Sequence, residues 1–184
     1  MSVLQDPNLE RLLATLHAAS DAQTSAIRQH YDERDRAVDR PREDQAARTK
    51  SFLSDKLYAL DRDKAEFCYQ LCRAIDARRI VEIGTSYGVS TLYLAAAVRD
   101  NLRAAGSGDG VVIGTEYEPK KARAAHANFN EAGLGRFIDL REGDLRKIPR
   151  RFRLTINDLP ACETGRHHRI VAVMPGLKGG TFSA

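Results

Sequence analysis

The chain has 184 residues, 42% hydrophobic and 29% charged, with a formal net charge of +4. That length allows one domain with a proper core, and no apolar run approaches the roughly 18–20 residues that span a bilayer. The opening MSVLQDPNLERLLATLH has no basic region followed by an apolar core, so neither a secretory leader nor a membrane role is expected.

The charge is uneven. Residues 1–145 carry 21 Lys+Arg against 23 Asp+Glu, whereas residues 146–184 carry 8 against 2. A nucleic-acid-binding face would interleave basic residues with aromatics. Phe152 and Phe182 are the only aromatics of the basic tail, so no nucleic-acid partner is expected.

In chain order, Asp6-Pro7 reads as a helix start, with Asp as cap and Pro at the first position. Leu9, Leu12, Leu13 and Leu16 then follow the spacing of an amphipathic helix. Residues 32–50 alternate in charge around Pro41 and read as a solvated helix or linker. Leu53, Leu57 and Leu60, then Phe67, Leu71 and Ile75, predict two helices packed ahead of a sheet. Cys68 and Cys72 share a face of the second and read as reduced core thiols. Together with Cys162 they make an odd count with no zinc or redox spacing, which suits a reducing cytoplasm.

From residue 78 the pattern changes. RRIVEIG (78–84) predicts a buried strand and residues 88–104 a helix rich in Ala and Leu. GSGDG (106–110) predicts a turn and VVIGTEY (111–117) a second strand. Residues 119–134 predict a helix, and RFIDLREGD (136–144) a third strand. Strands alternating with helices imply an α/β fold with a doubly wound, mostly parallel sheet. A helical region (1–77) would precede a sheet domain (78–184). Ligands of such sheets lie at the carboxyl ends of the strands.

Three strand ends stand out. Glu82-x-Gly84-x-x-x-Gly88-x-Ser90 allows a sharp turn and close backbone approach to a ligand; it also fits a tight turn with no ligand. Ser86 stands where the second glycine of a dinucleotide fingerprint belongs, which argues against a nicotinamide-dependent dehydrogenase. Glu116 ends the second strand, where a carboxylate can accept both hydroxyls of a ribose. Glu142-Gly143-Asp144 ends the third, where Asp144 can accept from an amino group beside the room left by Gly143; on its own this stretch reads as a turn.

VEIGTSYGVSTLYLA, VIGTEYEPKKARAAHANFNEAGL and LREGDL together resemble the class I S-adenosylmethionine-dependent O-methyltransferases of the catechol O-methyltransferase-like type, over about residues 52–146. The resemblance implies a Rossmann-like methyltransferase fold and S-adenosyl-L-methionine as cofactor. It implies Glu82, Gly84, Ser86, Gly88 and Ser90 around the methionine part, Glu116 on the ribose, and Asp144 near the adenine with Tyr117 and Gly143 flanking it. The expected reaction is methyl transfer to a hydroxyl of a small-molecule acceptor.

After Leu145 the sequence departs from that family. Residues 151–160 read as a fourth strand with Asp158 at the acidic position that often binds metal or substrate, although a structural or solvated carboxylate fits Asp158 more readily. Residues 169–184 read as a helix, an LKGG turn and the start of a fifth strand. The Asp-Asn pair and closing hairpin that the resemblance implies are absent, so the last strands are expected to be missing and a divalent-metal site incomplete. A truncated lobe, or a reading-frame artefact after residue 146, would explain this. A catalytically inactive remnant is then the alternative to an active enzyme, and an uncovered sheet edge makes a homodimer plausible. His167-His168 and His126 read as surface residues.

Overall fold

The computed structural model describes residues 3–37 and 41–143 and the backbone of residues 172–173. The first helix, α1 (Pro7–Asp21), starts as its sequence predicts, with the Asp6 carboxylate accepting the Leu9 N–H at 3.2 Å. Its four leucines are buried. α2 (Thr24–Arg36) buries only Ile27. α3 (Arg42–Leu53), which begins after Pro41, buries nothing, in keeping with the charge-dense sequence.

Two expectations need correction here. The helix expected through Leu57 and Leu60 ends at Leu53, and residues 56–60 run without helix. The Leu57 N–H donates to Gln23 Oε1 and the Ala59 N–H to Ser20 Oγ, at 3.2 and 3.0 Å. Side chains on α1 and just after it thus capture the donors that a further turn would have used. α4 (Arg62–Ala74) is a helix, but Phe67 is 63% and Leu71 39% exposed. Its buried residues are Ala65, Tyr69 and Cys72. Polar anchors set this rotation: Tyr69 Oη donates to Asp100 at 3.0 Å and Arg73 Nη1 to Asn101 at 3.1 Å.

The sheet follows with β1 (Arg79–Ile83), α5 (Val89–Ala105), β2 (Val111–Glu116), α6 (Pro119–Glu131), a 3₁₀ turn at Gly135–Phe137, β3 (Ile138–Glu142) and β4 (Ala172–Val173). Among the described residues all pairings are parallel, in the order β3-β2-β1-β4. Ile80 lies beside Val112 and Val112 beside Ile138, the register of a continuous apolar row. Ala172 and Val173 pair with Val81 and Glu82, where the sequence reading placed a helix. The run IVAV is β-branched, which suits a pleated sheet better than a helix. The strand expected at 151–160, with Asp158, and His167-His168 lie outside the described residues.

α5 sits between the sheet on one side and α1 and α4 on the other. Leu92 to Val98 have no exposed surface, and Ala95, Ala96 and Ala97 let its neighbours approach closely. Arg99, 6% exposed, donates to Asp6 at 2.6 Å and to Asp100 at 2.8 Å. Burial pushes the Tyr93 phenol up to about 12, and its hydroxyl lies 3.2 Å from His17 Nε2. From β1 the chain steps to β2 and β3 on one side, while β4 lies on the other. The strand order therefore reverses at β1, and the crevice at its carboxyl end is the ligand position of such sheets.

Candidate functional site at the ends of β1, β2 and β3

β1 ends at Ile83 and the chain turns at once. The N–H groups of Gly84 and Thr85 both donate to the Thr115 carbonyl, at 3.1 and 2.8 Å, pinning the turn to the end of β2. Gly84 has φ +85°, and a Cβ there would meet nothing within 4 Å. Gly88, with φ +83°, caps α5, and a Cβ there would lie 2.3 Å from Phe129 Cε1. The two glycines therefore serve different ends: Gly84 leaves the crevice open, and Gly88 lets α5 and α6 meet.

Glu82 has no exposed surface. It accepts hydroxyl protons from Ser90 at 2.6 Å, from Thr85 at 3.1 Å and from Thr91. Burial raises its pKa above the ordinary carboxylate value, although the three hydroxyls favour the charged form. Glu82 and Ser90 are thus bonded to each other, and Glu82 acts on the crevice through the turn it holds in place.

Ser86 takes the left-handed conformation, φ +53°. Its Oγ is buried without a hydrogen-bond partner, beside a cleft lined by Leu57, Ala59, Leu60, Tyr87 and Val89. Its N–H donates to Glu116 Oε2 at 2.6 Å, while the Glu118 N–H donates to Oε1 at 2.7 Å. Glu116, 8% exposed, therefore joins the turn after β1 to the turn after β2. Tyr117 is 47% exposed, with Lys50 Nζ 3.9 Å from its ring centroid. Gly143, φ +125°, donates its N–H to the Glu116 carbonyl at 2.8 Å. These contacts bring Gly84, Ser86, Glu116, Tyr117 and Gly143 to one edge of the sheet. Asp144 lies outside the described residues.

Several neighbours were not singled out in the sequence. Thr85 and Thr91 complete the shell of Glu82, and hydroxyls just after a strand-end acid were the available signal. Tyr87 Oη donates to the Asp55 carbonyl at 3.0 Å, tying the segment after α3 to the site. Lys121 is 9% exposed near Glu116, and burial lowers its pKa against the pull of Glu116, Glu118 and Asp55. His126 is exposed, 3.8 Å from Glu142. Among the described residues no three His, Cys, Asp or Glu side chains come together to hold a metal ion. Among them, too, no helix is long and apolar enough to cross a membrane.

A family described as a methyltransferase domain matches residues 81–182, more than half of the chain. The chain is 38% identical over 82 residues to a catechol O-methyltransferase of Mycobacterium tuberculosis, covering 45% of this chain and 34% of that protein. It is 33% identical over 81 residues to a catechol O-methyltransferase of Niastella koreensis, covering 44% and 33%. Among solved structures it is similar to the O-methyltransferase TomG of Streptomyces achromogenes, solved in complex with SAM. There the identity is 30% and the TM-score 0.41, with 47% of this chain and 35% of that one covered. The chain spans about a third of the length of these relatives. On the match over residues 81–182, the chain belongs to the methyltransferase domain family.

Proposed function

We propose that the chain binds S-adenosyl-L-methionine at the ends of β1, β2 and β3 and transfers its methyl group to a hydroxyl of a small molecule. The observation that carries this reading is the place of Glu116. Each of its oxygens accepts one backbone N–H, and a carboxylate oxygen has capacity for a second hydrogen bond. The carboxylate can therefore take ribose hydroxyls without releasing the turn after β1. The other residues fit the same ligand. Gly84 leaves its side of the turn open, the Ser86 hydroxyl lacks a partner, and Tyr117 presents an exposed ring next to Glu116. The names of the two catechol O-methyltransferase relatives support a small hydroxyl-bearing acceptor.

The cofactor, when bound, supplies an electrophilic methyl on a sulfonium, so the protein's share of the work is positioning. In this reading Glu82 and its hydroxyls keep the turn after β1 in shape, and Ser86 gives the ligand a hydroxyl. Glu116 fixes the sugar, and Tyr117 and Gly143 bound the base. Asp144 would accept from the base amino group, and Asp158 would serve the acceptor; both lie outside the described residues.

Calorimetric titration with S-adenosylhomocysteine tests the reading. The native chain is expected to bind, and Glu116→Ala to weaken binding about tenfold or more, the scale of a lost charge-assisted contact. No heat from a chain shown by circular dichroism to be folded refutes it. Binding of a nicotinamide dinucleotide in place of S-adenosylhomocysteine would favour a dehydrogenase.

A further inference from the structure

Lys50 lies in the last turn of α3, well before the matched domain begins. α3 buries none of its residues, yet this lysine reaches the site: its ammonium sits 3.9 Å from the centroid of the Tyr117 ring. The ring stays 47% exposed with the ammonium in place, so a planar group still has surface to lie against. The end of α3 is held where it is by the segment that follows. Asp55 receives the Tyr87 hydroxyl, Leu57 is bonded to Gln23 and Ala59 to Ser20. Lys50 is therefore carried on a helix whose exit is tied both to α1 and to the turn after β1.

We infer that Lys50 is a positioning residue for the base of the bound nucleoside, acting through Tyr117, so that the N-terminal helices complete the cofactor site at its base end. This rests on the S-adenosylmethionine reading above. An ammonium over a tyrosine ring is attracted by the ring's quadrupole, which fixes the orientation of Tyr117. The same positive charge stands beside the position of a purine, whose ring nitrogens are acceptors.

The test uses the whole chain and two ligands that share the base, S-adenosylhomocysteine and 5′-methylthioadenosine. Lys50→Met keeps the length of the stem and removes the charge. It is expected to weaken both ligands by the same factor, about threefold to tenfold, while Lys50→Arg binds like the native chain because a guanidinium also stacks on an aromatic face. Both variants should melt at the native temperature, since the side chain is exposed. Unchanged binding by Lys50→Met overturns the inference. Tighter binding does so too, because the lysine would then occupy the place of the base. A loss confined to S-adenosylhomocysteine would place the effect at the amino-acid end and likewise overturn it. If the native chain binds neither ligand, the cofactor reading itself falls and takes this inference with it.

Discussion

Replacing Gly88 by alanine measures how much of the turn after β1 is fixed by packing between helices. The new Cβ would lie 2.3 Å from Phe129 Cε1, 2.7 Å from Phe129 Cζ and 3.4 Å from the Ala125 Cβ. Phe129 is 2% exposed, so its ring has little room to move. Overpacking of this kind costs about 1–3 kcal/mol. The backbone adds its own term, because φ is +83° and an L-residue in the left-handed region costs about 1–2 kcal/mol. The sum, about 2–5 kcal/mol, is a large share of the roughly 5–15 kcal/mol that keeps a domain folded. Urea unfolding followed by circular dichroism would read it, in a cycle of Gly88→Ala, Phe129→Leu and the double variant. The smaller side chain at 129 should recover the packing share and leave the backbone share. A loss under about 1 kcal/mol for Gly88→Ala, or strict additivity with Phe129→Leu, would refute the geometric argument.

Burial raises the Glu82 pKa above its ordinary 4.5, so the folded chain holds that proton more tightly than the unfolded chain. Its contribution is full below 4.5 and is lost as pH rises through the folded value. Glu82→Gln cannot titrate, so the native chain should lose stability relative to this variant as pH rises from 4.5. A difference constant across pH in denaturant titrations would contradict this. At Asp6 the sign is opposite: burial works to raise the pKa, but the Leu9 N–H and the Arg99 guanidinium outweigh it and the value falls below 3.8. That contribution is present above 3.8 and is lost as pH falls through the folded value. Asp6→Asn keeps the cap acceptor and removes the charge facing Arg99. It should cost about 1–3 kcal/mol at neutral pH, less than Asp6→Ala, with the penalty fading in acid; a penalty that does not fade would show that the charge is not its source.

The sheet half of the fold was readable because its signals are local. β-branched runs ending in Gly84 and Glu116 and the short segment FIDLRE before Gly143 mark strands, and Pro119 marks a helix start. These need no knowledge of what packs on them. The helical half was harder because rotation and length are settled by partners far away in sequence. The spacing of Phe67, Leu71 and Ile75 is a sound amphipathic pattern, yet Tyr69 and Arg73 find Asp100 and Asn101 on α5 and turn the helix the other way. Leu57 and Leu60 fit a helix until Gln23 and Ser20 take the backbone donors. In the site, Glu116 was legible from its place at a strand end. The burial of Glu82 was not, since nothing in VEIG tells whether the acid faces the crevice or α5. Neither was Lys50, whose contact with Tyr117 joins residues separated in the chain by α4, β1, α5 and β2.

The bridge made by Glu116 also says where the sequence is free to drift. Both donors it uses are main-chain N–H groups, from Ser86 and Glu118. Every amino acid except proline brings that group, so the bridge does not depend on the identity of either side chain. Residue 118 can therefore vary widely across descendants of this chain, and residue 86 can vary among those that tolerate its left-handed backbone. At 116 nearly every exchange removes two acceptors at once. The mutational tolerance of the bridge is thus concentrated at two of its three corners, and a library randomised at all three should return proline-free diversity at 118 and a carboxylate at 116.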